Sequence, residues 1–221
     1  MDKHIFIKKG ALSKTLCKSY IDYFESSKYK FDELRGYHSF PATFLPKYIS
    51  TKYPDKNGID VEQLRDFSDF KKILTSNIEE YVEKHSFLKK FIWKWSIDFD
   101  FNIQKYDPGQ SYAPEHMEWG NDIDNIQRVL AWMVYLNDIN NEGGTVWPQQ
   151  NFTSIPREGD LYIWPASWTH SHHGIPAPEE TKYILTGWCG FIEPIGDKLS
   201  EIINETKDEK TVFWGEHFNR D

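Results

Sequence analysis

Cysteine is scarce in this chain: Cys17 and Cys189 are its only two, far apart and without a CxxC pair. That excludes a disulfide framework and suits a reducing cytosol. Long apolar runs are missing too, and no window approaches the roughly 18 apolar residues of a membrane span. The opening residues, MDKHIFIKKGALSK, hold neither an apolar core nor a small-residue cleavage site, so no secretory signal is expected. The expected location is therefore cytoplasmic, with no membrane partner. Positive charge is in short supply, since 26 Lys and Arg face 34 Asp and Glu for a formal charge of −8. That balance argues against nucleic acid, whose recognition needs a basic face. There is no phosphate-cradling Gly-rich loop, no GxSxG, no βαβ alternation, no internal repeat and no low-complexity segment.

Aromatic residues, by contrast, are plentiful at 16%, with nine Trp, so a sizeable core can form despite a mean hydropathy of −0.66. A length of 221 residues fits one domain, 1–221. Residues 4–7 read as a short strand. Ser13 reads as the cap of a helix carrying Leu16, Tyr20, Ile21 and Phe24. Ser68 or Asp66 opens a second helix with an apolar stripe of Phe67, Phe70, Leu74, Ile78, Tyr81 and Val82, a core face. Tyr53 to Gly58 reads as a turn. From Phe91 the period changes to two, with Trp93, Trp95, Ile97, Phe99, Phe101 and Ile103 alternating with polar residues. Further short strands are expected at 128–136, 145–147, 152–155, 160–164, 169–173 and 182–192, separated by turn residues. This predicts a mainly β fold, an antiparallel barrel or sandwich with supporting helices on one sheet. The organisation expected is a helical or mixed support over 1–100, a β core over 101–193 and a charged tail over 194–221. The tail's aromatic pair, Phe213 and Trp214, could serve a packed arm or a dimer contact, and the sequence leaves the oligomeric state open.

Two polar clusters stand out. His116 and Glu118, spaced i, i+2 in an extended segment, project to one face and can reach one ion, or they form a surface ion pair. His170, His172 and His173 crowd the stretch from Trp164 to Trp188. In a strand His170 and His172 share a face and His173 takes the other. Two histidines and a carboxylate from separate segments form the donor set of non-haem Fe(II) sites that keep open positions. Lys182 heads the otherwise apolar YILTGWCGF, and facing inward it needs an anion. Glu118, a structural carboxylate or a bound dicarboxylate would each serve.

The order and spacing of a longer series of pieces narrows the reading. They are Tyr106-Asp-Pro-Gly109, His116-x-Glu118, Arg128-Val-Leu leading to Tyr135-Leu-Asn-Asp138, Glu142-Gly-Gly144, and Pro156-x-x-Gly159-Asp-Leu-Tyr-Ile-Trp-Pro165. His172 follows, with Pro176 four residues and Lys182 ten residues further on, then Thr186-Gly-Trp188. Together they resemble the double-stranded β-helix (jelly roll, cupin-like) core of the 2-oxoglutarate/Fe(II) oxygenases, prolyl 4-hydroxylase-like branch. The likeness spans Gln104 to Trp188, and the first hundred residues match only as a helical support. It implies a dioxygenase using Fe(II), 2-oxoglutarate and O2, with ascorbate as a possible reductant. Such an enzyme hydroxylates its substrate with release of succinate and CO2. His116, Glu118 and His172 would be the metal ligands and catalytic residues. Lys182, Tyr106, Thr186 and Trp188 would form the co-substrate pocket, with Lys182 on the distal carboxylate.

Two departures from the family's pattern are visible. Glu118 stands where Asp is usual, and Thr145-Val146-Trp147 follows the glycine pair in place of Glu-Thr-x-Phe. The first substrate suggested by the resemblance is a peptidyl proline, with a small metabolite or free amino acid as the alternative. The aromatic segments Tyr37–Phe44 and Trp147–Phe152 are candidates for a surface peptide groove. Two competing readings make different predictions. A cupin-like metal- or ligand-binding module would bind metal without 2-oxoglutarate turnover, and a structural β-sandwich would bind no stoichiometric metal.

Overall fold

Ser13 opens the first helix as expected: its hydroxyl accepts the Leu16 N–H at 3.2 Å. The computed structural model describes residues 3–27, 31–32, 47–50, 67–90, 94–119 and 127–192. Helix α1 runs Lys14–Ser26 and buries Leu16, Cys17, Tyr20 and Phe24 along one stripe. Helix α2 runs Phe67–Lys84 and buries Phe70, Leu74, Ile78, Tyr81 and Val82. Ser68 lies inside this helix rather than capping it. Asp66, the turn at 53–58, the segment 37–44 and the tail from 194, with Phe213 and Trp214, lie outside the described residues.

The strands are β1 (Phe6–Lys8), β2 (Phe31–Asp32), β3 (Lys47–Ser50), β4 (Trp95–Tyr106) and β5 (Arg128–Tyr135), followed by β6 (Thr145–Trp147), β7 (Phe152–Thr153), β8 (Leu161–Pro165), β9 (His173–Gly174) and β10 (Lys182–Phe191). Seven form one antiparallel sheet in the order β1-β8-β5-β10-β4-β3-β2, and three form a second in the order β7-β6-β9. This is a double-stranded β-helix with helices on one sheet. The first strand starts two residues later than the sequence suggests, because His4 takes a positive φ of 52° ahead of the pairing of Phe6 with Ile163. The expected strand at 169–173 is a larger correction. Trp168–His170 is a 3-10 turn, His172 makes only an isolated bridge to His116, and β9 begins at His173.

Period-two alternation sorts the central strands between two cores. Leu130, Trp132 and Val134 of β5, Leu161 and Ile163 of β8 and Leu185 of β10 face the helices. Ala131, Met133 and Tyr135, Tyr162 and Trp164, and Ile184 face the other way. On the helix side the rings of Phe70 and Trp132 lie 5.3 Å apart. Gly187, opposite Trp132 in the β5–β10 register, leaves room for that indole: a Cβ there would lie 2.4 Å from the ring. On the other side Trp147 is fully buried against Tyr162 and Trp164. Trp147 is therefore core, not part of an exposed groove, because Thr145 and Trp147 both turn inward from β6. The helices occupy one face of the large sheet and leave the other free to carry a pocket. No helix among the described residues is long and apolar enough to cross a membrane.

Candidate active site

The pocket lies on the face away from the helices and has a volume of about 560 Å³. At one end His116 and His172 are clamped backbone to backbone. The His116 N–H donates to the His172 carbonyl at 3.0 Å, and the His172 N–H returns the bond at 2.8 Å. Each imidazole is then fixed by its own Nδ1, which donates to the Pro114 carbonyl at 3.0 Å in His116 and to the His170 carbonyl at 3.0 Å in His172. A carbonyl can only accept, so Nδ1 carries a proton in each ring and Nε2 is the nitrogen turned to the pocket. Glu118 completes the group, with Oε1 3.2 Å from Nε2 of His172 and 4.0 Å from Nε2 of His116. One donor atom from each of the three residues lies within 4.8 Å of the others, an arrangement that could hold a metal ion.

The protonation states suit a cation. Burial, then the charge of His172, push the His116 pKa down to about 4, so this imidazole is neutral near pH 7. Burial works against a charged Glu118, but the hydrogen bond and charge that His172 supplies when protonated, with the protonated His116 and the Arg128 guanidinium, outweigh it and bring its pKa down to about 2. The other carboxylate oxygen, Oε2, accepts the Trp188 indole N–H at 2.6 Å and lies 3.5 Å from the Arg128 guanidinium. Two nitrogen donors oriented by their Nδ1 bonds and an ionised oxygen donor fit Fe(II).

At the other end stands Lys182, opposite Tyr106 in the β4–β10 register and 4% exposed. Its ammonium donates to the carbonyls of Gly143 at 2.9 Å and Ile175 at 3.3 Å. Gly143 takes a φ of +72° to present that carbonyl, a conformation costly for a side-chain-bearing residue. No carboxylate among the described residues lies within ion-pair distance of Lys182, and burial lowers its pKa to about 8. A buried cation with only neutral acceptors, facing a cavity, could receive an anion.

The remaining sequence candidates line the same pocket in different ways. Tyr106 turns its ring, 4.8 Å from the Lys182 Nζ, toward the ammonium, and its hydroxyl donates to Gln104 Oε1 at 2.7 Å. Thr186 donates its hydroxyl to the Trp132 carbonyl at 3.2 Å. Trp188 walls the metal end. His170 points elsewhere, its Nε2 meeting the Lys3 carbonyl and its Nδ1 the Thr169 hydroxyl, each at 3.0 Å. His173 pairs its backbone with Val146 and does not line the pocket. Tyr135, Met133 and Thr145 also line it and were not singled out from the sequence as site residues. Tyr135 shares a buried network with the hydroxyls of Ser154 at 2.7 Å and Thr145 at 3.2 Å. A tyrosine closing an otherwise apolar strand was the available signal.

Comparison with known proteins adds a family match over part of the chain and a fold. Residues 101–190 match the family model of the 2OG-Fe(II) oxygenase superfamily. No curated protein sequence matches the chain. Among solved structures, the viral collagen prolyl hydroxylase of Paramecium bursaria Chlorella virus-1, in a 2OG complex, has a TM-score of 0.59 at 18% identity, covering 86% of this chain and 97% of its own. A Pseudomonas putida prolyl-4-hydroxylase has a TM-score of 0.61 at 17% identity, covering 85% and 92%. A Trichoplax adhaerens prolyl hydroxylase in complex with a hypoxia inducible factor peptide fragment has 0.53 at 16%, covering 85% and 84%. At these identities the likeness establishes the fold.

Proposed function

We propose, from the premise that residues 101–190 belong to the 2OG-Fe(II) oxygenase superfamily, that this chain is an Fe(II)- and 2-oxoglutarate-dependent dioxygenase. The observation that carries this reading is the pairing, in one cavity, of a His-Glu-His group with a buried lysine that has no anionic partner among the described residues. His116, Glu118 and His172 are the residues that would hold the iron. Bound there, Fe(II) supplies the redox chemistry that couples 2-oxoglutarate decarboxylation to substrate hydroxylation, with succinate and CO2 as products.

The chain's own contribution is binding, orientation and exclusion of water. Lys182 receives the distal carboxylate of 2-oxoglutarate, and the Gly143 and Ile175 carbonyls hold its ammonium in place beforehand. Tyr135, Met133, Ile184 and Thr186 line the space between, so the co-substrate is held by one charge pair in a largely apolar slot. The Nδ1 bonds of His116 and His172 keep both Nε2 atoms aimed into the pocket. A cupin-like module without turnover would need the metal end only and leaves the buried Lys182 unexplained.

For the substrate we propose a peptidyl proline. The similar solved structures are described as prolyl hydroxylases, one of them in complex with a peptide fragment. The pocket lining supplies a surface for a peptide: Met117 and Trp119, 41% and 39% exposed, stand beside the metal group. A reducing compartment, the cytoplasm, suits both Fe(II) and the free, buried Cys17 and Cys189. The test is incubation with Fe(II), 2-oxoglutarate, ascorbate and proline-containing peptides, read by mass spectrometry. A gain of one oxygen on proline is expected. Oxygen gained only on a non-proline residue or a small metabolite would replace the substrate, and absence of 2-oxoglutarate turnover would replace the enzyme class.

A further inference from the structure

Glutamate is a demanding choice for a metal carboxylate. It has three side-chain torsions, and fixing them costs rotamer freedom. A glutamate free to turn could also offer both oxygens to one ion and take a position that a co-substrate needs. Glu118 is not free. Its backbone is tied on both sides, with its N–H donating to the Ala166 carbonyl at 3.1 Å and its carbonyl accepting from Arg128 Nη1 at 3.0 Å. Its Oε2 accepts the Trp188 indole N–H at 2.6 Å, while Oε1 faces the two imidazoles. The indole is itself held, because the Arg128 guanidinium lies 3.6 Å from its ring centroid.

We infer that Trp188, braced by Arg128, is a positioning residue: it binds Oε2 of Glu118, so that Oε1 alone is presented to the metal and the longer carboxylate is preorganised. This rests on the ligand set proposed above and extends it by assigning separate tasks to the two oxygens. Glu118→Asp withdraws the carboxylate by about one C–C bond, roughly 1.5 Å, and takes it out of reach of the indole N–H.

The test uses Mn(II) alone as a redox-inert probe, with affinity measured by calorimetry and by the electron paramagnetic resonance of free Mn(II). Trp188→Phe keeps an aromatic wall but loses the donor, and is expected to weaken Mn(II) binding by about 10–100-fold. In the Glu118→Asp background the same substitution is expected to change Mn(II) affinity by less than about 2-fold, since the contact is already gone. Circular dichroism and melting of the metal-free variants establish folding. Should Trp188→Phe not fold, Trp188→Leu carries the test: it too removes the indole donor while leaving the Arg128 bond to the Glu118 carbonyl in place, and is expected to weaken Mn(II) in the Glu118 background only. Parental affinity in the folded variant, or an equal loss in both backgrounds, overturns the inference. The ligand set is tested separately by Glu118→Ala. If that variant binds Mn(II) like the parent, the site itself is misassigned. If it loses Mn(II) while Trp188→Phe does not, only the role of Trp188 falls.

Discussion

Replacing Lys182 by methionine separates the two ends of the pocket. The ammonium is 4% exposed, and burial moves its pKa from 10.5 to about 8, a desolvation cost of roughly 3 kcal/mol at 1.36 kcal/mol per unit. Against this stand the hydrogen bonds to the Gly143 and Ile175 carbonyls, which a charged donor makes worth about 1.5–3 kcal/mol each. Much of the two effects cancels in the protein without co-substrate, so Lys182→Met is expected to shift stability by only about 1–2 kcal/mol, or some 2–8 °C in melting temperature for a chain of this size. The distal carboxylate of 2-oxoglutarate has no such compensation. Truncating one partner of a buried charge pair costs about 2–5 kcal/mol, or about thirty-fold to a few thousand-fold in affinity. Calorimetric titration with 2-oxoglutarate in the presence of Mn(II), beside a titration with Mn(II) alone, reads both ends at once. The expected outcome is a large loss for 2-oxoglutarate and a change below about 3-fold for the metal, a fraction of one tenfold step of 1.4 kcal/mol. Parental 2-oxoglutarate affinity in the variant would refute the assignment of Lys182.

The same lysine sets a pH dependence. Between pH 8 and 10.5 the unfolded chain still holds the proton that the folded chain has released, so stability of the free protein rises with pH through that window. 2-Oxoglutarate affinity should fall over the same range as the ammonium is lost, and both slopes should flatten in Lys182→Met when melting and titration are followed against pH. Metal titration should distinguish the three clustered histidines, with His172→Ala losing the ion and His170→Ala and His173→Ala retaining it. Glu118→Asp should keep part of the succinate-forming activity that Glu118→Ala abolishes, read by product chromatography. Gly187→Ala would place a Cβ 2.4 Å from the Trp132 ring, and chemical denaturation should report a loss of about 1–3 kcal/mol.

The strands that build the large sheet were legible because alternation marks them: β4 and β10 end within a few residues of the expected limits, and β5 one residue short of it. The face of each residue was harder to read. In β5 both faces are buried, so Tyr135 carries no polar alternation to reveal that it lines the pocket. Trp147 sits in a three-residue strand, too short for a period, and its burial comes from the opposing sheet. The strand expected at 169–173 has little β-forming composition behind it, Thr169 being its only β-branched residue. Short-range bonds decided the matter, among them Ser167 to Thr169 at 2.7 Å and Thr169 to His170 at 3.0 Å, which curl the chain into a 3-10 turn. His172 nevertheless meets His116, since the bridge between them needs only one residue from each segment. The bracing of Glu118 by Trp188 and Arg128 was beyond reach of the sequence, because it depends on the register between β5 and β10.

The central claim is that this cavity binds Fe(II) and 2-oxoglutarate together and turns the co-substrate over. Succinate formation from 2-oxoglutarate with Fe(II), ascorbate and O2, in the parent and in Glu118→Ala and Lys182→Met, tests it most directly. The expected result is iron-dependent succinate from the parent, none from Glu118→Ala, and activity in Lys182→Met restored only at far higher 2-oxoglutarate. Succinate formed by Glu118→Ala at the parental rate, or none from a parent that binds both Fe(II) and 2-oxoglutarate, would contradict it.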